Sequence, residues 1–92
     1  MSDIAVLNLD GTVLTSKEEL HNTVFYQLAL PDYYGRNLDA LWDVLSTWSA
    51  PLCIEVTNTE LLTMHLADYA DALRELLRDA AAENNTVTLI IS

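Results

Sequence analysis

The sequence has a single cysteine, Cys53, so no disulfide can form within the chain and the fold must rest on its core. That scarcity suits a reducing compartment, and the cytoplasm is the expected location. Basic residues are equally sparse. Four Lys and Arg stand against 14 Asp and Glu, for a net charge of −10. Phosphate backbones and anionic membranes repel such a chain, so neither nucleic acid nor a membrane surface is an expected partner. Its natural partner is basic. No apolar run approaches the roughly 20 residues that cross a bilayer. The N-terminus carries Asp3 and has no basic stretch ahead of an apolar one, so no signal peptide is expected. There is no linker, repeat or low-complexity segment.

What is present is enough apolar material for a packed core, 51% of 92 residues. One domain over residues 1–92 is expected. Residues 4–9 (IAVLNL) read as a strand buried on both faces, turned by Asp10-Gly11. Ser16-Lys17-Glu18-Glu19 has the spacing of a capping box, and the helix it opens runs to about Leu28, with Leu20, Val24 and Leu28 inward and Pro31 as its stop. Residues 32–36 (DYYGR) form a loop in which Gly35 supplies backbone freedom. Asn37 caps a second helix from Leu38 to about Trp48. Residues 52–56 (LCIEV) are a second strand, and Thr59 caps a short helix to about His65. A longer helix covers about Ala67 to Glu83, with Tyr69, Ala70, Leu73, Leu76, Leu77 and Ala80 on one stripe. Asn84-Asn85 ends it in left-handed backbone, and residues 86–91 (TVTLII) are the third strand. Short apolar strands separated by helices predict an α/β fold: a small three-stranded parallel sheet packed with about four helices.

Asn8-Leu9-Asp10-Gly11-Thr12 resembles the D-x-D-G-T motif of haloacid-dehalogenase-type phosphatases. An amide at Asn8 cannot serve as the carboxylate nucleophile, so a plain turn is the favoured reading and a degenerate phosphatase a remote one. His21 and His65 stand alone, without a Cys or His cluster, so no metal or cofactor is expected. Cys53 in an apolar strand reads as a buried, inert thiol. Asp71, Glu75 and Asp79 at i,i+4 spacing, interleaved with Arg74 and Arg78, read as a salt-bridged solvent face.

The most informative stretch is residues 32–43, DYYGRNLDALWD. At about 100° per residue, Leu38, Leu41, Val44 and Leu45 share one side of the helix, Asp39, Asp43 and Ser46 the other, and Trp42 the shoulder. Like charges at i,i+4 cost an isolated helix roughly 0.2–0.5 kcal/mol. Acids beside Trp42, Tyr33 and Tyr34 suit an interface with a basic surface. Spacing alone favours a solvated face, and leaves a catalytic carboxylate pair as the weakest reading.

The run Leu30-Pro31-Asp32-Tyr33-Tyr34-Gly35-Arg36-Asn37-Leu38-Asp39-Ala40-Leu41-Trp42-Asp43, with Leu45 and Trp48 after it, is similar to the barstar family, intracellular inhibitors of the secreted ribonuclease barnase. The likeness is dense over residues 28–48. It extends loosely to the C-terminus through Arg78, Ala80, Ala82-Glu83 and Thr88-Leu89-Ile90-Ile91-Ser92, includes His21, and is poor over residues 57–73. It implies a three-stranded parallel sheet with helices and a non-enzymatic function: blocking the active site of a guanyl-preferring microbial ribonuclease, one to one, by a monomer. It also implies that Asp43 occupies the phosphate pocket, Asp39 pairs with a neighbouring cation and Tyr33 packs on the catalytic histidine. Gly35, Asn37, Leu38, Trp42, Ser46, Thr47 and Trp48 would line the contact, and Asp79 would add a second acidic contact. Departures from the family pattern bear on target choice. Arg36 is basic where the family is acidic, Thr47 replaces a glycine, Asp79 replaces a glutamate, and Val44 and Asn85 stand at cysteine positions. An immunity or regulatory domain for another basic toxin or protein is the alternative.

Overall fold

A computed structural model describes residues 4–92. The expectation about a leader, which turns on Asp3, lies outside the described residues. Strands β1 (Ala5–Asp10), β2 (Leu52–Thr57) and β3 (Val87–Ile91) form one parallel sheet in that order. Leu7 pairs with Ile54 and Ile54 with Leu89. Helices α1 (Lys17–Gln27), α2 (Leu38–Ser46), α3 (Thr59–Leu66) and α4 (Asp68–Glu83) fill the connections. The α/β fold with a three-stranded parallel sheet and four helices is therefore as expected.

The expectation that the first strand is buried on both faces is corrected. Leu7 and Leu9 are fully buried, while Val6 before them and Asn8 between them are exposed. In β2, Leu52, Ile54 and Val56 are buried and Cys53, Glu55 and Thr57 only partly so. Side chains alternate across a strand, so one face of the sheet is covered by helices and the other meets solvent. Each fully buried Leu or Ile on the covered face contributes roughly 1.5–3 kcal/mol. From the helices, Leu20, Val24, Leu41, Leu45, Leu62, Leu73 and Leu77 complete that core.

Chain ends of the helices follow local chemistry. Ser16 accepts a hydrogen bond from the Glu19 amide, which starts α1. The helix stops before Pro31 acts. Leu30 N donates to Phe25 O and Ala29 N to Tyr26 O, a Schellman pattern with Ala29 left-handed at φ 51°. Thr59 opens α3 but does not cap it; Asn58 stands before it at φ 52° with no side-chain bond to the helix. Asn84 leaves α4 in extended backbone, φ −123° and ψ 109°, not left-handed as expected, because its side chain is committed elsewhere.

The Asp10 turn is a turn. Its Oδ1 accepts from Thr12 N at 3.0 Å, Thr12 Oγ1 at 2.7 Å and Asn58 Nδ2 at 2.8 Å. The Thr12 amide above all, with these hydroxyl and amide donors, holds the Asp10 carboxyl below its ordinary range. Gly11 is there for space. A Cβ would lie 2.1 Å from Asn58 O. At the outer edge of β1, Gln27 bonds both backbone groups of Asn8, accepting from its N–H at 2.7 Å and donating to its carbonyl at 3.1 Å. A side-chain amide thus stands where a neighbouring strand would pair.

Candidate functional site

α2 begins where the sequence says it should. Asn37 Oδ1 accepts from Ala40 N at 2.7 Å, and Asp39 sits in the first turn, where the helix dipole favours an acid. Leu41 and Leu45 are buried, Leu38, Trp42 and Val44 half-buried, Asp39 and Asp43 exposed and Ser46 half-buried. The 3.6-residue period is therefore read correctly. The helix is shorter than expected, ending at Ser46, so Thr47 and Trp48 belong to the segment that leaves it. There Thr47 Oγ1 donates to the Asp43 carbonyl.

The loop before α2 resolves the two tyrosines. Tyr34 is buried and Tyr33 is 88% exposed. The Tyr34 hydroxyl meets His21 Nδ1 at 2.8 Å, and His21 Nε2 meets the Tyr69 hydroxyl at 2.6 Å. A neutral imidazole has one donor and one acceptor nitrogen, so one tyrosine donates to the ring and the other accepts from it. Burial lowers the His21 pKa, with the Arg36 charge adding to it. Burial, then the Tyr69 phenol, pushes the Tyr34 hydroxyl up to about 12. Gly35 does not use the freedom its type offers; the left-handed residue is Arg36, at φ 55°. A Cβ on Gly35 would come within 3.2 Å of the Ala40 Cβ, so the glycine keeps the loop tight against the helix start.

The far end of α2 is held by Asn84, the residue at which α4 ends as expected. Asn84 Nδ2 donates to Leu45 O and Trp48 O, both at 2.9 Å, and Thr86 Oγ1 donates to Trp48 O at 2.9 Å. Asn84 Oδ1 accepts from Thr86 N at 3.1 Å. These bonds satisfy carbonyls that a helix end leaves open. They fix α2 to the α4–β3 junction.

Two open grooves flank the exposed ridge of α2. Leu38, Asp39 and Trp42 face Ala72, Glu75, Leu76 and Asp79 of α4 across the first. Asp39 and Asp79, expected on spacing and resemblance, thus share one groove, and Glu75, which the sequence left in a salt-bridged face, joins them. The second groove is more apolar and gathers Tyr33, Val44, Thr47 and Trp48 with Leu30 and Pro31. Asp43 stands on the ridge between the grooves.

Cations are turned away from this ridge. Arg36 packs on Phe25, with its guanidinium carbon 4.6 Å from the ring centre, and donates to Asn22 Oδ1. Lys17 lies 4.7 Å over the Tyr69 ring. The expected salt-bridged face on α4 reduces, among the described residues, to one ion pair, Asp71–Arg74. Asp39, Asp43, Glu75 and Asp79 have no ion-pair partner among the described residues. Unscreened acids on a rigid element have a field that attracts a basic body. No group of three metal-ligating side chains occurs among the described residues, and no helix there is long and apolar enough to cross a membrane.

The family model described as Barstar (barnase inhibitor) matches residues 4–91. A curated relative named "Putative ribonuclease inhibitor YrdF", from Bacillus subtilis (strain 168), is 42% identical over 76 residues, which is 82% of this chain and 84% of the relative. The family match spans residues 4–91, nearly the whole sequence, and the chain belongs to the Barstar (barnase inhibitor) family, a family of inhibitors and not of enzymes.

Proposed function

We propose that this protein inhibits a small, basic, secreted ribonuclease of the guanyl-preferring, barnase-like type by seating α2 and the loop before it in the nuclease's substrate cleft. The observation that carries this reading is the uncompensated acidic ridge of Asp39 and Asp43, fixed at both ends and flanked by grooves that hold Trp42 and Asp79 on one side and Tyr33 and Trp48 on the other. A ribonuclease cleft is basic because it binds a polyanion. A carboxylate there meets the cations that hold RNA phosphate, and an inhibitor of this design offers no bond to cleave.

In this reading Asp43 occupies the phosphate pocket and Asp39, with Asp79 behind it, pairs with a second cation. Tyr33 covers the catalytic base, and Gly35, Asn37, Leu38, Trp42, Ser46, Thr47 and Trp48 close the contact around them. One copy blocks one nuclease, and the free protein is a monomeric, single-domain cytoplasmic guard that needs no cofactor. The test is a titration into guanyl-preferring ribonucleases with RNA cleavage as the readout. Stoichiometric loss of cleavage at one equivalent supports the reading. Full activity at micromolar protein across that enzyme class excludes it, and points to a different basic partner.

A further inference from the structure

Arg36 is the one basic residue in the loop that leads into α2, and it is held in three ways. Its backbone is left-handed at φ 55°, a conformation that a residue with a Cβ adopts only when its surroundings enforce it. Its guanidinium lies over the Phe25 ring, 4.6 Å from the centre. Its Nη1 donates to Asn22 Oδ1. Both contacts are on α1, one turn of which also carries His21, the anchor of Tyr34. Positions 34 and 36 of the loop therefore have separate bolts into the same helix. Tyr33, 88% exposed, is carried on the segment between Pro31 and these bolts.

We propose that Arg36 is a positioning residue for partner binding: by stacking on Phe25 and bonding Asn22, it locks residues 32–37 in the binding-competent arrangement and turns its own charge away from the acidic ridge. This rests on the reading of α2 and its loop as the partner-binding face. A loop ordered before the encounter does not have to be ordered during it, and that gain falls mainly on dissociation. The charge acts separately. A cation beside an acidic ridge weakens the attraction of a basic partner and slows association.

The two effects have different rate signatures, which makes the proposal testable. Three variants are needed: Phe25→Leu removes the ring face and leaves every charge, Arg36→Ala removes stack, bond and charge, and Arg36→Lys keeps the charge without the planar fork. In the free protein, backbone amide relaxation of residues 32–37 reads the lock directly. Wild-type order parameters near 0.85 should fall in Phe25→Leu and Arg36→Ala, while residues within α2 and the sheet stay rigid. With a guanyl-preferring ribonuclease that the wild type inhibits, Phe25→Leu should leave association unchanged and speed dissociation about 2- to 10-fold. Arg36→Ala should speed both association and dissociation. Arg36→Lys should keep the wild-type association rate and dissociate between wild type and Phe25→Leu.

Faster association of Arg36→Ala with no change in dissociation would reduce Arg36 to a surface charge and overturn the proposal. So would unaltered order of residues 32–37 in both Arg36→Ala and Phe25→Leu. If no ribonuclease binds the wild type, the ribonuclease reading fails by itself, and the order parameters still decide whether the lock exists.

Discussion

The Tyr34 hydroxyl and the His21 ring meet at 2.8 Å in the core, and through this bond the loop that presents Tyr33 is fastened to α1. The bond has a pH signature. Burial lowers the folded-state pKa of His21. The unfolded chain therefore takes up a proton near pH 6.5 that the folded chain refuses, and stability present above pH 6.5 is lost as pH falls through that value toward the lowered one. At the other limb, the Tyr34 pKa of about 12 lies above the ordinary 10. The stability that Tyr34 contributes is present in full below pH 10 and is lost as pH rises from 10 through 12. Urea midpoints measured from pH 8 down to pH 5 should fall, and His21→Gln should flatten that fall. An unchanged slope in the variant would remove His21 from this role.

The left-handed alanine at the end of α1 gives a second prediction. Ala29 holds φ 51° at the position where a Schellman end usually carries glycine. Strain of this kind costs of order 1–3 kcal/mol, and glycine relieves it while adding back roughly 0.5–1 kcal/mol of unfolded-state entropy. Ala29→Gly should therefore stabilise the domain, by up to about 2 kcal/mol. The inverse change at Gly11, to Ala, sets a Cβ 2.1 Å from a backbone oxygen and should destabilise by more than about 2 kcal/mol. Denaturant melts of both variants give the two signs directly.

These positions also show what a sequence can and cannot display. The Ser16 and Asn37 caps and the inward and outward faces of α2 were legible, because each depends on residues within one or two turns. Ala29, Arg36, Asn58 and Ala67 take positive φ, and nothing in their type announces it. The open face of the sheet is not legible in β1, because an apolar run does not say which alternate residues are covered; Glu55 in the middle of β2 carries that signal. Nothing in the sequence marks Glu75 as a neighbour of Asp39, because only the packing of α2 on α4 joins them.

Asn84 extends this lesson to energetics. It spans 39 residues to reach the Leu45 carbonyl and also satisfies the Trp48 carbonyl. Removing one partner leaves half-buried groups unsatisfied, at roughly 1–3 kcal/mol each. Asn84→Ala should lower stability by about 2–3 kcal/mol and loosen the end of α2. Hydrogen exchange should show this as faster exchange confined first to residues 44–48. Asn84→Asp, which keeps the acceptor for Thr86 but loses both donated bonds, should lose nearly as much.

Association should be salt-sensitive. The chain carries −10 and its partner is proposed to be basic. Long-range attraction fades as the Debye length shrinks from about 10 Å at 0.1 M salt to about 3 Å at 1 M. Steering of this kind is a rule learned in part from the barnase–barstar pair itself. Stopped-flow association rates should fall steeply over that range and dissociation rates much less. A flat association rate would sink the steering argument while leaving the contact itself intact.

If α2 seats in a basic cleft as proposed, its two acids pull stability and binding in opposite directions. Asp39 and Asp43 are one turn apart, both exposed, with no ion-pair partner among the described residues. Their repulsion costs the free helix roughly 0.2–0.5 kcal/mol, and alanine is the better helix former at either position. Asp43→Ala should leave the free domain as stable as before or a few tenths of a kcal/mol more stable by these same terms. In the proposed complex the same change would strip a desolvated cationic pocket of its counter-charge, a loss of roughly 3–5 kcal/mol when a buried pair is broken on one side. Asp39→Ala should show the same opposition in weaker form, since Asp39 also gains from its place in the first turn of α2. A merely solvated face would give no change in binding for either variant. Urea melts of the free proteins, set beside inhibition constants for a ribonuclease that the wild type blocks, separate the cases. If Asp43→Ala unfolds readily instead, the carboxylate is holding the fold, and its assignment to the phosphate pocket is wrong.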